Sequence, residues 1–499
     1  MGEVDLKWAC QQYKGGPQRA MYSLARAYDL GDHRLSFATD KFRSTFGHLF
    51  KEFAENVCPG VVDALNDRLD VQGFKSSESE TKAVDMANSA PTPAKPAVPV
   101  KRLEIVDPLG DIAQEIWNRN QMDVRSSEVH RESLLMGDSY VIVWPDEQVQ
   151  ASIFPQLANE CAVQYDSNVP GLIVRACKLW WDELEEIYRL NIYLPDRIEK
   201  YASRPKARSI PASERGWLSY GANIPNPYGV VPVFNFPNRR MHCVGISELR
   251  DIVPIQDALN KSVMDMLIAM EFASFKQRYV IGMETPVDEE TGQPDQAFAK
   301  NYGVDRLLAI PEIEAKVGQF DATDLSQFLK VQEKFWASVA RVSGTPLHYF
   351  YIVTGDFPSG EAMKAAEARF VKKISDQQVA KGSIWEQVLL FAMKIEETIP
   401  DDLEMEIMWK DPAPRTESEL ADTAVKKKAV GVSRSQILKE FGYTDDEIER
   451  MLEESDAQAK AQSDLMAEQK MAGSADPNNP APDGATPAKP TSGTKGVRR

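Results

Sequence analysis

The 499-residue chain is short of cysteine, histidine and long apolar runs, and each shortage removes a class of function. Cys10, Cys58, Cys161, Cys177 and Cys243 are scattered without a CxxC pair, which argues against a disulfide framework or a structural zinc site and fits a reducing compartment. The opening MGEVDLKWAC has no apolar signal core and no run of about 18 apolar residues follows, so a soluble, unexported protein with no membrane span is expected. Leu6 stands where a myristoylation signal needs Ser or Thr. Positive charge is also scarce. The 58 Lys and Arg against 75 Asp and Glu leave a net charge of −17, too acidic to grip nucleic acid by broad phosphate neutralisation.

Catalytic patterns are missing as well. There is no GxxxxGK[ST] phosphate loop, no GxSxG elbow, no HExxH and no calcium loop. His33, His48, His130, His242 and His348 are isolated, and His242 and Cys243, as neighbours in an extended chain, would point to opposite faces. Glu183, Glu185 and Glu186 have no His or Asp at metal-ligand spacing and read as a solvated face. No catalytic residue, metal or cofactor is therefore expected. An acidic hydrolase or nuclease assembled from distant residues stays open as the alternative.

What is present is a strong order of elements, and at about 150 residues per domain the length predicts roughly three domains. Segments 18–30, 42–53 and 56–69 carry helical apolar spacing, and 140–236 changes to short β-branched and aromatic runs between Pro, Gly and Asn clusters. Segments 76–100 and 471–499 offer Pro, Ala, Ser and charge with too little apolar surface to order, and read as an unstructured insert and tail. After Pro254, Ile255, Leu259, Val263, Met266 and Met270 form one helix face, with Asp257, Lys261 and Asp265 on a neighbouring, partly exposed strip. A second helix carries Leu325, Phe328, Leu329, Phe335, Trp336, Val339 and Val342. Between the two lie strand-like runs near 278–283, 304–310 and 313–317 and a loop with Asp288, Glu289, Glu290 and Asp295, so the pair reads as a stalk with a docking end.

The connector TPLHYFYIVTGDFPSG then leads to a very long helix with Ser359 as N-cap, whose stripe is Met363, Ala366, Phe370, Ile374, Trp385, Val388, Leu389, Ala392 and Ile395, with Gly382 as the one candidate bend. Leu403, Met405, Ile407 and Trp409 alternate as a strand. Three helix starts follow, Thr416 with Glu419, Ser433 with Gln436 and Thr444 with Glu447, stopped by Gly431 and Gly442.

These strings, in this order, resemble the portal proteins of tailed bacteriophages, especially long-tailed phages of actinobacteria. NVCPGVVDALNDRLDVQGF is similar to the family's opening segment, and HRESLLMGDSYVIVWPD to the segment that begins its wing. GISELRDIVPIQDALNKSVMDMLIAMEFASFKQRYVIGM resembles its first stem helix, and SGTPLHYF and PSGEAMKAAEARFVKK resemble the edges of its tunnel loop. The resemblance implies an α+β portal fold. It divides the chain into a helical wing part (1–75), the insert (76–100), a β-rich wing (101–246), stem helix one (247–276), a small α/β clip (277–320), stem helix two (321–343), a tunnel loop (344–359), the long helix and a wing strand (360–415), a helical crown (416–470) and the tail (471–499).

It further implies a non-enzymatic ring of self-copies, usually twelve, at one capsid vertex. Double-stranded DNA would be packaged and ejected through it, with a packaging terminase, head-tail adaptors and the major capsid protein as partners. The protein would belong to the virion, and to the host cytoplasm during assembly. Thr345, His348, Tyr349, Tyr351, Thr354 and Asp356 would face the DNA channel. Asp257, Lys261, Asp265, Phe335 and Trp336 would lie in the stem, and Asp288, Glu289, Glu290 and Asp295 would dock partners at the clip. A minor head or scaffold protein is the remaining alternative.

Overall fold

The computed structural model describes residues 2–34, 37, 44, 55–77, 80–85, 101–205, 207, 209–239, 244–274, 278–281, 308–310, 316–319, 325–350, 360–397, 403–413, 417–441, 443, 447–448 and 450–458. The chain divides into two units, Met1–Pro412 and Ala413–Arg499. It is a mixed helix and sheet protein.

In the first unit, α1 (Gly2–Gln12), α2 (Pro17–Asp29) and α3 (Cys58–Asn66) precede β1 (Val71–Ser76), β2 (Glu80–Asp85) and β3 (Lys101–Val106). α2 and α3 each begin with Pro in the first turn, where the missing N–H costs nothing. Residues 80–85 correct one expectation: the Ala- and Ser-rich stretch meant to be unstructured contributes β2, which pairs antiparallel with β3 from Glu80 against Val106 to Asp85 against Lys101. Composition understates this segment because cross-strand pairing supplies the order that its own apolar content cannot. The rest of that insert, 86–100, lies outside the described residues, as do 42–43 and 45–53 of the expected second helix.

Two further helices, α4 (Pro108–Arg119) and α5 (Met122–Met136), open the stretch expected to be β-rich. Asp107 caps α4, accepting from the Gly110 N–H at 2.9 Å. Strands follow: β4 (Tyr140–Pro145), β5 (Ala151–Gln156), β6 (Cys161–Tyr165), β7 (Ile173–Asp182), β8 (Ile187–Tyr193), β9 (Arg197–Ser203), β10 (Trp217–Ser219), β11 (Ile224–Pro225) and β12 (Val233–Asn235). They form an antiparallel sheet in the order β10-β9-β8-β7-β6, with β11 also on β9, and a smaller sheet β12-β4-β5. α1 covers one face of the larger sheet, burying Leu6, Ala9 and Cys10 with Cys177, Leu179, Leu190, Ile192 and Trp217. The four described cysteines are free and buried, and burial raises the thiols of Cys58 and Cys177 to about 12, which leaves them inert.

The chain then forms α6 (Val253–Ser274), a three-stranded sheet of β13 (Arg278–Ile281), β14 (Leu308–Ile310) and β15 (Lys316–Gln319), and α7 (Ser326–Ser343). In that sheet β13 is central, parallel to β14 and antiparallel to β15. A 3-10 turn at Leu347–Tyr349 leads to α8 (Gly360–Ile395) and β16 (Met405–Trp409). The 36 residues of α8 span about 54 Å at 1.5 Å per residue. β16 pairs with β1. Gly382 is where β16 crosses the helix: a Cβ there would sit 2.8 Å from Ile407 Cγ2 and 3.2 Å from Trp409 Nε1.

Two apolar cores hold the body together. One joins α2, α3, the end of α5, the roots of α6 and α7, and Phe370 and Ile374 of α8. The other joins α4, α5, β4, β5, Phe236, the second half of α8 and β16. In the second unit, α9 (Glu417–Val430) and α10 (Arg434–Glu440) match the first and second of the expected starts. Ser433 Oγ accepts from the Gln436 N–H at 3.3 Å. Gly431 closes α9 with its N–H on the Lys428 carbonyl at 3.2 Å and the Val432 N–H on Lys427 at 3.0 Å.

Candidate functional site

α6 and α7 pack on each other and are rooted in the body by different means. Backbone meets backbone just before α6: Gly137, with φ +100°, lies against Gly245 so closely that a Cβ on Gly245 would strike the Gly137 carbonyl oxygen. The first turns of α6 then turn a polar face inward. Gln256, Asp257 and Asn260 are buried. Gln256 Oε1 accepts from the Val57 N–H at 2.9 Å, Asn260 Oδ1 accepts from the Glu55 N–H at 3.0 Å, and the Tyr28 hydroxyl donates to Asp257. Burial and the Asp257 carboxylate push the Tyr28 phenol above its ordinary range.

Asp257 is thus a correction to the partly exposed strip read from the sequence. Its side chain lies inside because it accepts from the hydroxyl of buried Tyr28, while Gln256 and Asn260 beside it take the backbone donors of the segment arriving at α3. Further along, Lys261 and Asp265 do form the expected pair four residues apart. The apolar stripe changes character along its length. Leu259, Val263 and Met264 are buried, whereas Leu267 and Met270 are exposed. On α7, Val339 is buried and Phe335 and Trp336 pack against the first core, whereas Leu329, Val331 and Val342 are exposed.

α7 ends at Gly344, and the chain is then pinned to α8. Thr345 is only 2 % exposed, its N–H donating to Ser343 Oγ at 3.1 Å. Lys373 Nζ reaches the Ser343 carbonyl at 2.9 Å and Glu248 Oε2 at 2.6 Å. His348 Nε2 lies 3.1 Å from Glu367 Oε1, and Arg68 Nη1 lies 3.4 Å from Glu367 Oε2. Arg68 also donates to the Pro412 carbonyl at 2.8 Å and to the Tyr349 hydroxyl, with its guanidinium 5.7 Å from the Tyr349 ring centre and 5.5 Å from that of Phe370. Burial raises the Tyr349 phenol. Arg68 and Glu367 thereby tie the turn after α3, the 3-10 turn, α8 and the chain leaving β16 into one node.

Of the residues expected to face a channel, Thr345 is buried beside Ser343, whereas His348 and Tyr349 reach Glu367 and Arg68 and remain exposed. Tyr351, Thr354 and Asp356 lie outside the described residues, as do Asp288, Glu289, Glu290 and Asp295. Arg68, Glu248, Glu367 and Lys373 were missed by sequence reasoning. The nearest thing to a signal is Glu367, a carboxylate buried on a stretch of α8 whose neighbours Ala365, Ala366, Ala368 and Arg369 are exposed. Among the described residues no group of His, Cys, Asp or Glu could hold a metal ion, and no helix is long and apolar enough to cross a membrane.

A family model of phage portal proteins of the SPP1 Gp6-like type matches residues 76–461. This chain belongs to the phage portal protein family. It is 27% identical over 413 residues to a portal protein of Mycobacterium phage L5, covering 78% of this chain and 81% of that one. It is 28% identical over 373 residues to a portal protein of Mycobacterium phage D29, covering 70% and 73%. The portal match takes in the α6 and α7 pair and the whole of α8 with Glu367, while Arg68 precedes it. Portal proteins are structural components of the phage head-tail connection rather than an enzyme family.

Proposed function

We propose that copies of this chain close into a ring, twelve in the family's usual pattern, at one capsid vertex, and that double-stranded DNA is packaged and ejected through its centre. The family match over 76–461 carries this reading. Residues 247–276 and 321–343 serve as the stem, 277–320 as the clip, 344–359 as the tunnel loop and 416–470 as the crown. The apolar side chains exposed on the outer halves of α6 and α7 suit burial against neighbouring copies. Cyclic symmetry repeats every acidic side chain around the ring, so a chain of net charge −17 builds a wall that repels phosphate and lets a duplex slide.

With Thr345 buried and His348 and Tyr349 tethered to Glu367 and Arg68 while still exposed, we assign the freest contact with the moving DNA to Tyr351, Thr354 and Asp356. Polar tips of this kind touch a phosphate backbone without binding it tightly. Asp288, Glu289, Glu290 and Asp295 supply charge for docking a packaging terminase and, after filling, head-tail adaptors. The major capsid protein surrounds the ring in the virion. Deleting 351–356 while keeping Tyr349 tests the assignment: ring formation is retained and packaged or retained DNA falls. Normal genome packaging by the deletion variant would refute the loop's role.

A further inference from the structure

Where α8 crosses α5, the core holds a lysine. Lys381 is 1 % exposed, and its Nζ donates to Ser133 Oγ at 3.0 Å, a neutral partner whose own hydroxyl proton is donated to the Phe236 carbonyl at 2.7 Å. The titratable and charged groups that face it offer no free carboxylate. From α5 comes His130, fully buried, with Nε2 accepting from Trp385 Nε1 at 2.8 Å. From the segment before α6 comes Glu248, whose Oε1 is taken by Asn238 at 3.0 Å and Arg239 at 3.2 Å, and whose Oε2 is taken by Lys373 at 2.6 Å. Arg239, after β12, and Lys373, two turns earlier on α8, are themselves cations.

We infer that Lys381 makes the seat of α8 responsive to acid: a proton taken up there finds only a carboxylate already held by Asn238, Arg239 and Lys373, and it loosens the buried face of the helix from α5. A charged ammonium in an apolar core with one neutral hydrogen-bond partner is strongly disfavoured, so the amine is kept neutral by burial. Burial accordingly lowers Lys381 from its ordinary value of 10.5 to about 7, with Glu248 opposing the shift. Burial and the neighbouring Lys381 together hold the His130 imidazole well below its usual range, so a second base in the same core also resists protonation.

The sign follows from proton counting. Between about pH 7 and pH 10 the opened segment carries a proton on Lys381 that the closed segment lacks, so closure is favoured as pH rises through that window and is weakest below it. Hydrogen exchange of the full-length chain reads this directly, using peptides that cover the second half of α8 and correcting for the intrinsic exchange rate. Protection in the wild type should be about tenfold lower at pH 6 than at pH 8. Lys381→Met should show the same protection at both values, with β7 and β8 peptides, which belong to a separate core, as the internal reference. Equal pH sensitivity in wild type and Lys381→Met would overturn the inference. Should the variant fail to fold, undiminished wild-type protection at pH 6 overturns it equally.

Discussion

Along α8, the stretch from 381 to 395 buries Trp385, Val388, Leu389 and Ala392 completely, while the described side chains from 362 to 376 bury only Glu367, Phe370 and Ile374 and leave Lys364, Ala365, Ala366, Arg369 and Lys372 exposed. One continuous helix is thus anchored at its end and held at its beginning by a few contacts. Apolar burial does the anchoring, with Trp385 edge-on to Trp117 at 5.0 Å and tilted against Phe236 at 4.6 Å. At the other end only Phe370 and Ile374 enter an apolar core, and Glu367 adds polar contacts to His348 and Arg68. An assembly part that must be fixed in the body and still meet neighbours or a moving polymer is well served by this division.

Truncating the anchor should do the most damage. Trp385→Ala leaves a large cavity and strips His130 of its indole partner, and should cost about 3–5 kcal/mol in the stability of the first unit, measured by denaturant unfolding. A loss below about 1 kcal/mol would mean that α8 is not anchored there. The node should be worth less. Glu367→Gln keeps the shape but removes the charge between Arg68 and His348, and should cost about 1–2 kcal/mol while raising hydrogen exchange in 344–350 and leaving the second half of α8 unchanged. Exchange that rises equally along the whole helix would erase the distinction between the two halves.

Much of this helix was legible in the sequence. From Phe370 to Ile395 every residue of the expected stripe is buried, whereas at its start Met363 is half-buried and Ala366 exposed. The alternation of Met405 and Ile407 likewise reappears as β16. Elements that depend on a distant partner were not legible. β2 exists because β3 pairs with it, Asp257 is buried because Tyr28 meets it, and Gly382 admits the close approach of β16. Arg68 and Glu367 stand 299 positions apart, and no local pattern announces that they meet. Similarly, no local pattern marks Lys381, and only the packing of α5 against α8 puts it inside. The order of elements could reveal the family because order survives where pairwise contacts leave no trace in a single sequence.

Mass photometry of the purified full-length chain, paired with negative-stain imaging of the same sample, bears most directly on whether this polypeptide encloses a channel. Particles of many copies, uniform in number and showing a central hole, are the predicted result. Single chains at every concentration, with no opening in any view, would contradict it.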